Sequence, residues 1–419
     1  MSRYAEHALN IHQYEPRRIA IPLLTRESQK HPAGQSVARR FAVRISLFYA
    51  STFGIIGVHL PFFPVWLKAI GVDVSWIGFI TAAPSLSRFT VLPFVTATAE
   101  HRQILRGTMI VLAFATATGF AVLGLLREPL TILIVYAVIA CLWTPLSPLT
   151  DGYALKGVSR HGLDYGQMRL WGSASFVVLA LVAGLLLRVI DSQNLIWVIV
   201  AVAAVSAVVS LGIAPLEAPA SGSAPQGRAS GLLRRPLFLA IIGASALIQG
   251  SHAAYYGFAS ITWQNAGLSG LTIAILWSLG VIAEIVVFAV SPRFTLSPQV
   301  LVLIGAASGV LRWVITAQEP RIEVLAVVQL MHGLTFGITQ VGTVALIVRS
   351  VPHHVIASAQ GYMVATQGAT TSLTMICSGL IYARVGEGVY YAMAVMALAG
   401  GLVMAFARKR LDAHHAVMD

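Results

Sequence analysis

From Phe41 to residue 407 the sequence alternates apolar stretches of about 20 residues with short polar joints, and this alternation limits the fold more than any motif does. Twenty residues at 1.5 Å per residue cross the hydrocarbon of a bilayer. Twelve such stretches are expected, near 44–67, 75–97, 107–126, 130–152, 167–187 and 194–214, then 236–260, 269–290, 299–317, 322–348, 358–382 and 387–407. Between the two sets lies a segment, 215–235, rich in Ala, Pro, Gly and Ser, the composition of a flexible linker. Six spans, a linker and six more imply a duplicated half. The expected architecture is an all-α membrane protein of two six-helix bundles, 41–214 and 236–407, with a cytoplasmic tail at 408–419.

Composition supports this class. The chain is 57% hydrophobic and 11% charged, against roughly 25% charge in soluble domains. Its net charge of +12 would suit nucleic acid, but the basic residues lie between apolar spans and not along one face, so no nucleic-acid partner is expected. With the N-terminus inside, inner segments hold 20 of the 28 Lys and Arg and outer loops hold five. That bias places both termini in the cytoplasm of a cell inner (plasma) membrane protein. Residues 1–40 are polar and basic without an apolar h-region, so they read as a disordered extension and not as a secretory signal. Cys141 and Cys377 lie inside apolar runs and set no disulfide framework.

A charge inside a span is costly and normally faces a partner or a wet cavity. Span 8 reads LTIAILWSLGVIAEIVVFAV and carries Glu284, with Trp277 and Gly280 on the same helical face. Span 9 carries Arg312, and span 10 carries His332, with Thr335, Phe336, Thr339 and Gln340 on one face. A carboxylate, a guanidinium and an imidazole on three consecutive spans are close to self-neutralising, so a Glu284–Arg312 pair with a titratable His332 beside it is expected. Asp151 at the end of span 4 and Arg169 early in span 5 form a second expected pair. Arg88 lies deep in span 2 with no partner near it in sequence, and is either matched elsewhere or waits for an anion. Tyr49, Trp143, Trp171, Tyr255, Tyr256 and Trp277 are available to stack on a ring, or serve as packing and interfacial anchors. His252 and His332 have no Cys or carboxylate at ligand spacing, so neither a metal site, a cofactor nor an intramembrane enzyme is expected.

Span 4 ends in Pro148-Leu-Thr-Asp151 and span 5 opens Asp164-Tyr-Gly-Gln-Met-Arg-Leu-Trp-Gly-Ser173. A further pattern, YGF..I.WQ..G, runs from Tyr256 to Gly267, and LWSLGV.AE runs from Leu276 to Glu284. On these residues the chain resembles the phenylpropionate permease-like family of proton symporters, within the major facilitator superfamily, over residues 41–407. The carboxylate, arginine and histidine on spans 8, 9 and 10 are similar, more distantly, to lactose permease-type symporters. Those place a glutamate one turn after the histidine, where this chain has Thr335 and Phe336. The loop after span 2 reads TATAEHRQILRG where the superfamily carries GxxxDRxGRR.

The resemblance implies the major facilitator fold and a monomeric secondary transporter that moves a small organic solute, an aromatic acid first, with a proton by alternating access. Sugar or nucleoside symport, export by antiport, and a transport-silent receptor or scaffold are the alternatives. Proton coupling falls to Glu284, His332 and Arg312. Substrate contacts fall to Arg88, Asp151, Arg169, Trp171, Tyr49, Tyr256, Trp277 and Gln340.

Overall fold

The computed structural model describes residues 32–216, 229–352 and 355–415. Most of the expected N-terminal extension and of the linker lies outside the described residues, as do 416–419. Among the described residues ten helical stretches are long and apolar enough to cross a membrane, and an eleventh is the pair Val74–Thr90 and Leu92–His101, bent by 42°. The last of the ten covers 53 residues, about 80 Å at helical rise, which is too long for one crossing. It turns back at Gly386 into Ile356–Val385 and Val389–His415. Twelve crossings result.

Span 1 is Pro32–Ala69, so residues 32–40, expected in the extension, are helical instead. Span 2 is the bent pair above. Span 3 is Leu105–Gly124, and span 4 is Pro129–Trp143 plus Leu146–His161. Span 5 is Tyr165–Leu186 and span 6 is Leu195–Leu211. In the second half, span 7 is Pro236–Gly250 plus Ala253–Asn265, span 8 Gly270–Val290 and span 9 Pro298–Thr316. Span 10 is Ile322–Leu330, a π-helical turn Gly333–Ile338, and Thr339–Ser350. Spans 11 and 12 are the two helices that meet at Gly386.

The duplication shows in local chemistry. After span 1 the chain turns at Gly71 (φ +88), and after span 7 it turns at Gly267 (φ +82). Only glycine enters that region without strain. Two residues later Asp73 and Ser269 stand in extended geometry and cap spans 2 and 8, accepting from the backbone N–H of Ser75 (2.8 Å) and Thr272 (3.2 Å). Gly-x-Asp and Gly-x-Ser thus build the same helical hairpin twice.

Within the bundles, span 1 packs on span 5, span 3 on span 6, span 7 on span 11, and span 9 on span 12. The bundles meet through spans 2 and 11 and spans 5 and 8. On the face away from the termini these crossings are backbone to backbone. A Cβ added to Gly78 would stand 2.8 Å from the Gly379 Cα, and one added to Gly184 would stand 2.5 Å from the Gly270 carbonyl oxygen. Small residues allow helices this close. Lys68 of span 1 also bonds Asn265 of span 7 there. Toward the terminal face the bundles part: Leu92–His101 and Leu146–His161 make their substantial contacts within their own half. The molecule is therefore shut on the far face and open on the terminal face.

Candidate functional site: the charged cavity between the bundles

Glu284 sits just past the middle of span 8, and its side chain is 27% exposed although protein surrounds it on most sides. Such a carboxylate lines the cleft between the bundles and does not lie on the outer surface. Its nearest charged or titratable partner is His332, whose Nε2 lies 3.6 Å from a Glu284 carboxylate oxygen. The other ring nitrogen, Nδ1, lies 3.0 Å from Arg312 Nη1. Arg312 is fully buried. Its Nη1 also donates to Thr335 Oγ1 (3.1 Å) and its Nη2 to Gln329 Oε1 (3.3 Å). The guanidinium lies 4.7 Å from the Tyr255 ring centroid and 4.6 Å from that of Trp313. Aromatic faces, not a carboxylate, balance most of its charge.

The expected Glu284–Arg312 pair therefore does not form. His332 is interposed, because span 10 winds into its π-turn at this level and carries the ring between its neighbours. A π-turn inserts a residue into the helical register and often marks a functional site. Gly333 and Gly337 let this turn approach span 8: a Cβ on Gly333 would come within 2.7 Å of the Ala283 carbonyl oxygen.

The expected Asp151–Arg169 pair does not form either. Asp151 accepts hydrogen bonds from the hydroxyls of Tyr49 (2.6 Å) and Tyr165 (2.9 Å). Arg169 lies over the Phe53 ring, 3.9 Å from its centroid. Two hydroxyls satisfy the carboxylate more cheaply than a charge pair, and the guanidinium is left to face the gap, where its field reaches Glu284 across the bundle boundary. Sequence reading missed Phe53 and Tyr165; Tyr165 lay in plain view within the DYG motif.

Arg88 is accessible and yet enclosed by protein, the position of a cavity-lining side chain. It has no hydrogen-bond or ion-pair partner among the described residues. Tyr256 stands between the groups, within electrostatic reach of Glu284, Arg312 and Arg88. The structure thus brings together Glu284, His332, Arg312, Tyr256, Arg88 and Arg169, from spans 8, 10, 9, 7, 2 and 5.

Five of the eight expected substrate residues stand outside this cluster: Asp151 and the fully buried Tyr49, which bond each other as described, and three more. Trp171 is 59% exposed on a stripe with Val178, Val182 and Leu185, exposed along the whole helix, which is a lipid face and not a cavity wall. Trp277 is only 3% exposed and donates to Ser260 Oγ (2.8 Å), packed 4.5 Å behind Tyr255. It supports the tyrosines. Gln340 accepts from Gln367 (3.4 Å) and lines a groove of about 430 Å³ with Phe288, Val344 and Arg349, between the terminal-side ends of spans 8 and 10.

A family model described as "MFS_1 like family" matches residues 42–393. This chain belongs to that family. A curated relative of this MFS_1-like protein is the "Probable 3-phenylpropionic acid transporter" of Escherichia coli (strain K12), 32% identical over 363 residues, 84% of this chain and 94% of that one. The "Maltose permease" of Geobacillus stearothermophilus is 23% identical over 370 residues, 87% of this chain and 94% of that one. Among solved structures, the nucleoside transporter NupG superposes with a TM-score of 0.77 at 16% identity, covering 88% of this chain and 99% of that one. The twelve crossings have the major facilitator fold. The MFS_1-like chain is a multi-pass membrane transporter, and its partners are a small-molecule substrate and the lipid around it.

Proposed function

We propose that this protein couples movement of a small aromatic carboxylate to a proton by alternating access, with Glu284 as the proton site. The observation that supports the reading is that Glu284 of the C-terminal bundle is part-exposed yet enclosed and lies in the field of Arg169 of the N-terminal bundle, with Arg88 of that bundle enclosed in the same way. Arg88, which has no partner among the described residues, is the receptor for the substrate's anionic group. Tyr256 and Phe53 offer ring faces for its apolar part. In the empty protein Glu284 lies in the field of Arg169. A bound carboxylate competes for the same cations, so Glu284 gains from carrying a proton when substrate is present. Each ligand then favours the other's binding, which is the thermodynamic requirement for symport. The relative named for 3-phenylpropionic acid supports this substrate class. The basic-residue bias supports reading the open terminal face as cytoplasmic and the membrane as the cell membrane.

The test uses purified protein in liposomes holding a pH-sensitive dye, with a Glu284→Gln control. Aromatic acids, sugars and nucleosides are added singly. Lumenal acidification with aromatic acids alone, absent in the variant, is the expected result. A response to sugars or nucleosides instead would overturn the substrate class, and alkalinisation would show antiport.

A further inference from the structure

Span 7 breaks between Gly250 and Ala253, and span 10 winds into its π-turn at the same depth. Two hydrogen bonds join these irregular segments. Gln249 Nε2 donates to the Phe336 carbonyl (3.3 Å), and His252 Nε2 lies 2.9 Å from Thr335 Oγ1. His252 is completely buried and takes no part in the cavity lining described above.

The direction of every proton in this cluster follows from which groups are able to accept. A guanidinium only donates. His332 Nδ1, 3.0 Å from Arg312 Nη1, is therefore an acceptor, and the ring hydrogen sits on Nε2, facing Glu284. Thr335 Oγ1 likewise accepts from Arg312, which leaves its one hydrogen to give. His252 Nδ1 lies 3.2 and 3.1 Å from the carbonyls of Ile248 and Gln249, so Nδ1 carries hydrogen and Nε2 accepts. The Thr335 hydrogen goes there, at 2.9 Å, in preference to the His332 carbonyl at 3.4 Å. The donors of Arg312 and the carbonyls around His252 impose one arrangement: two neighbouring histidines in opposite tautomers, fixed by one arginine and one hydroxyl.

We propose that Thr335 is the positioning residue of the proton site. It holds Arg312 against His332 Nδ1, so that His332 presents only Nε2–H to Glu284, and it ties that arrangement to the break in span 7. A proton arriving on Glu284 then alters a hydrogen-bonded chain that ends at the hinge of a cavity-lining helix. The N-terminal bundle supplies the contrast. There His59 of span 1 bonds the Tyr136 hydroxyl of span 4 at 2.7 Å, the equivalent pair of spans. The rings of Phe63, Phe120 and Trp143 pack against it, and no charged side chain acts on it among the described residues. A buried histidine–hydroxyl bond alone is packing. The C-terminal half adds Arg312 and Glu284 to it. The other titratable or charged groups facing this cluster are Tyr255 and Tyr256 from span 7, Tyr390 from span 12, and Arg88 and Arg169 across the cavity.

The inference rests on the proton-coupled reading, and its test separates the two. Thr335→Val keeps the shape and removes the hydroxyl; Thr335→Ser restores it. In liposomes, Thr335→Val is expected to retain exchange of labelled 3-phenylpropionate while pH-driven accumulation falls about tenfold, the size of one hydrogen bond to a charged group. Thr335→Ser is expected to recover it. Exchange and accumulation falling together, without recovery in Thr335→Ser, would overturn the proposal, as would unchanged accumulation in Thr335→Val. A wild-type protein that moves no proton would sink the proton-coupled reading and this role together. Nitrogen-15 spectra of histidine-labelled wild type give a second measurement that does not depend on any variant folding. They are expected to show His332 as the Nε2–H and His252 as the Nδ1–H tautomer, and any other assignment overturns the proposal.

Discussion

Arg312 and Glu284, the opposite charges on neighbouring spans, do not touch: His332 stands between them, 3.0 Å from one and 3.6 Å from the other. A direct pair would lock the carboxylate in its ionised form. With a neutral ring between, Glu284 keeps a face open to the cavity and is free to exchange a proton. The same separation leaves the guanidinium dependent on Tyr255 and Trp313 for compensation.

Arg88 is expected to set affinity for the anionic group. Arg88→Gln should raise the KM for an aromatic acid by at least about tenfold, since a charge-assisted hydrogen bond is lost. The matching uncharged alcohol should bind wild type and variant alike. Equal KM values for the acid in both proteins would remove Arg88 from the site.

The two tryptophans should behave oppositely. Trp171→Leu exchanges one lipid-facing apolar group for another and is expected to change stability by less than about 0.5 kcal/mol. Trp277→Leu removes a buried indole and its bond to Ser260, and should cost on the order of 3 kcal/mol. Thermal melting in detergent compares them directly.

Bulk at the far-face crossings should hold them apart. Gly78→Leu with Gly184→Leu places side chains where 2.8 and 2.5 Å separate a Cβ from the facing backbone. The double variant is expected to bind substrate but not transport it. A cysteine introduced at Thr81 should become reactive toward an impermeant maleimide added on the far face. Continued transport would show that the two crossings do not form the seal.

Outside the membrane, Glu128 caps the first helix of span 4. The Thr131 hydroxyl, then the backbone N–H groups of Thr131 and Leu130, hold its carboxyl below the usual range. A depressed folded-state value adds stability that is present above the unfolded value, near 4.5, and is lost as pH falls through the folded one. Glu128→Gln should therefore melt lower than wild type at neutral pH, with the difference shrinking below about pH 4. A difference that stays constant down to pH 3 would show that the cap's charge contributes nothing.

The spans were legible because hydrocarbon thickness sets one length that hydropathy reports. The charged residues of the site were legible for a related reason: Glu284, Arg312 and His332 are conspicuous against apolar surroundings. Their pairing was not. Spacing along separate helices does not fix rotation, and the π-turn that inserts His332 leaves only Gly333 and Gly337 as a sign in the sequence. Asp151 went to Tyr49 and Tyr165 because hydroxyls compete with guanidinium for a carboxylate, a competition that charge counting ignores. Trp171 was avoidable: Val178, Val182 and Leu185 continue its helical face with apolar, lipid-suited side chains.

The closed face has a consequence for energetics. Where Gly78 meets Gly379 and Gly184 meets Gly270 there is no side chain to titrate, to solvate or to be drawn toward a solute. Such a contact has nearly the same strength at any pH or solute concentration. It behaves as a passive spring with a constant return force, and both inputs that work against it, proton and substrate, must be applied at the cavity.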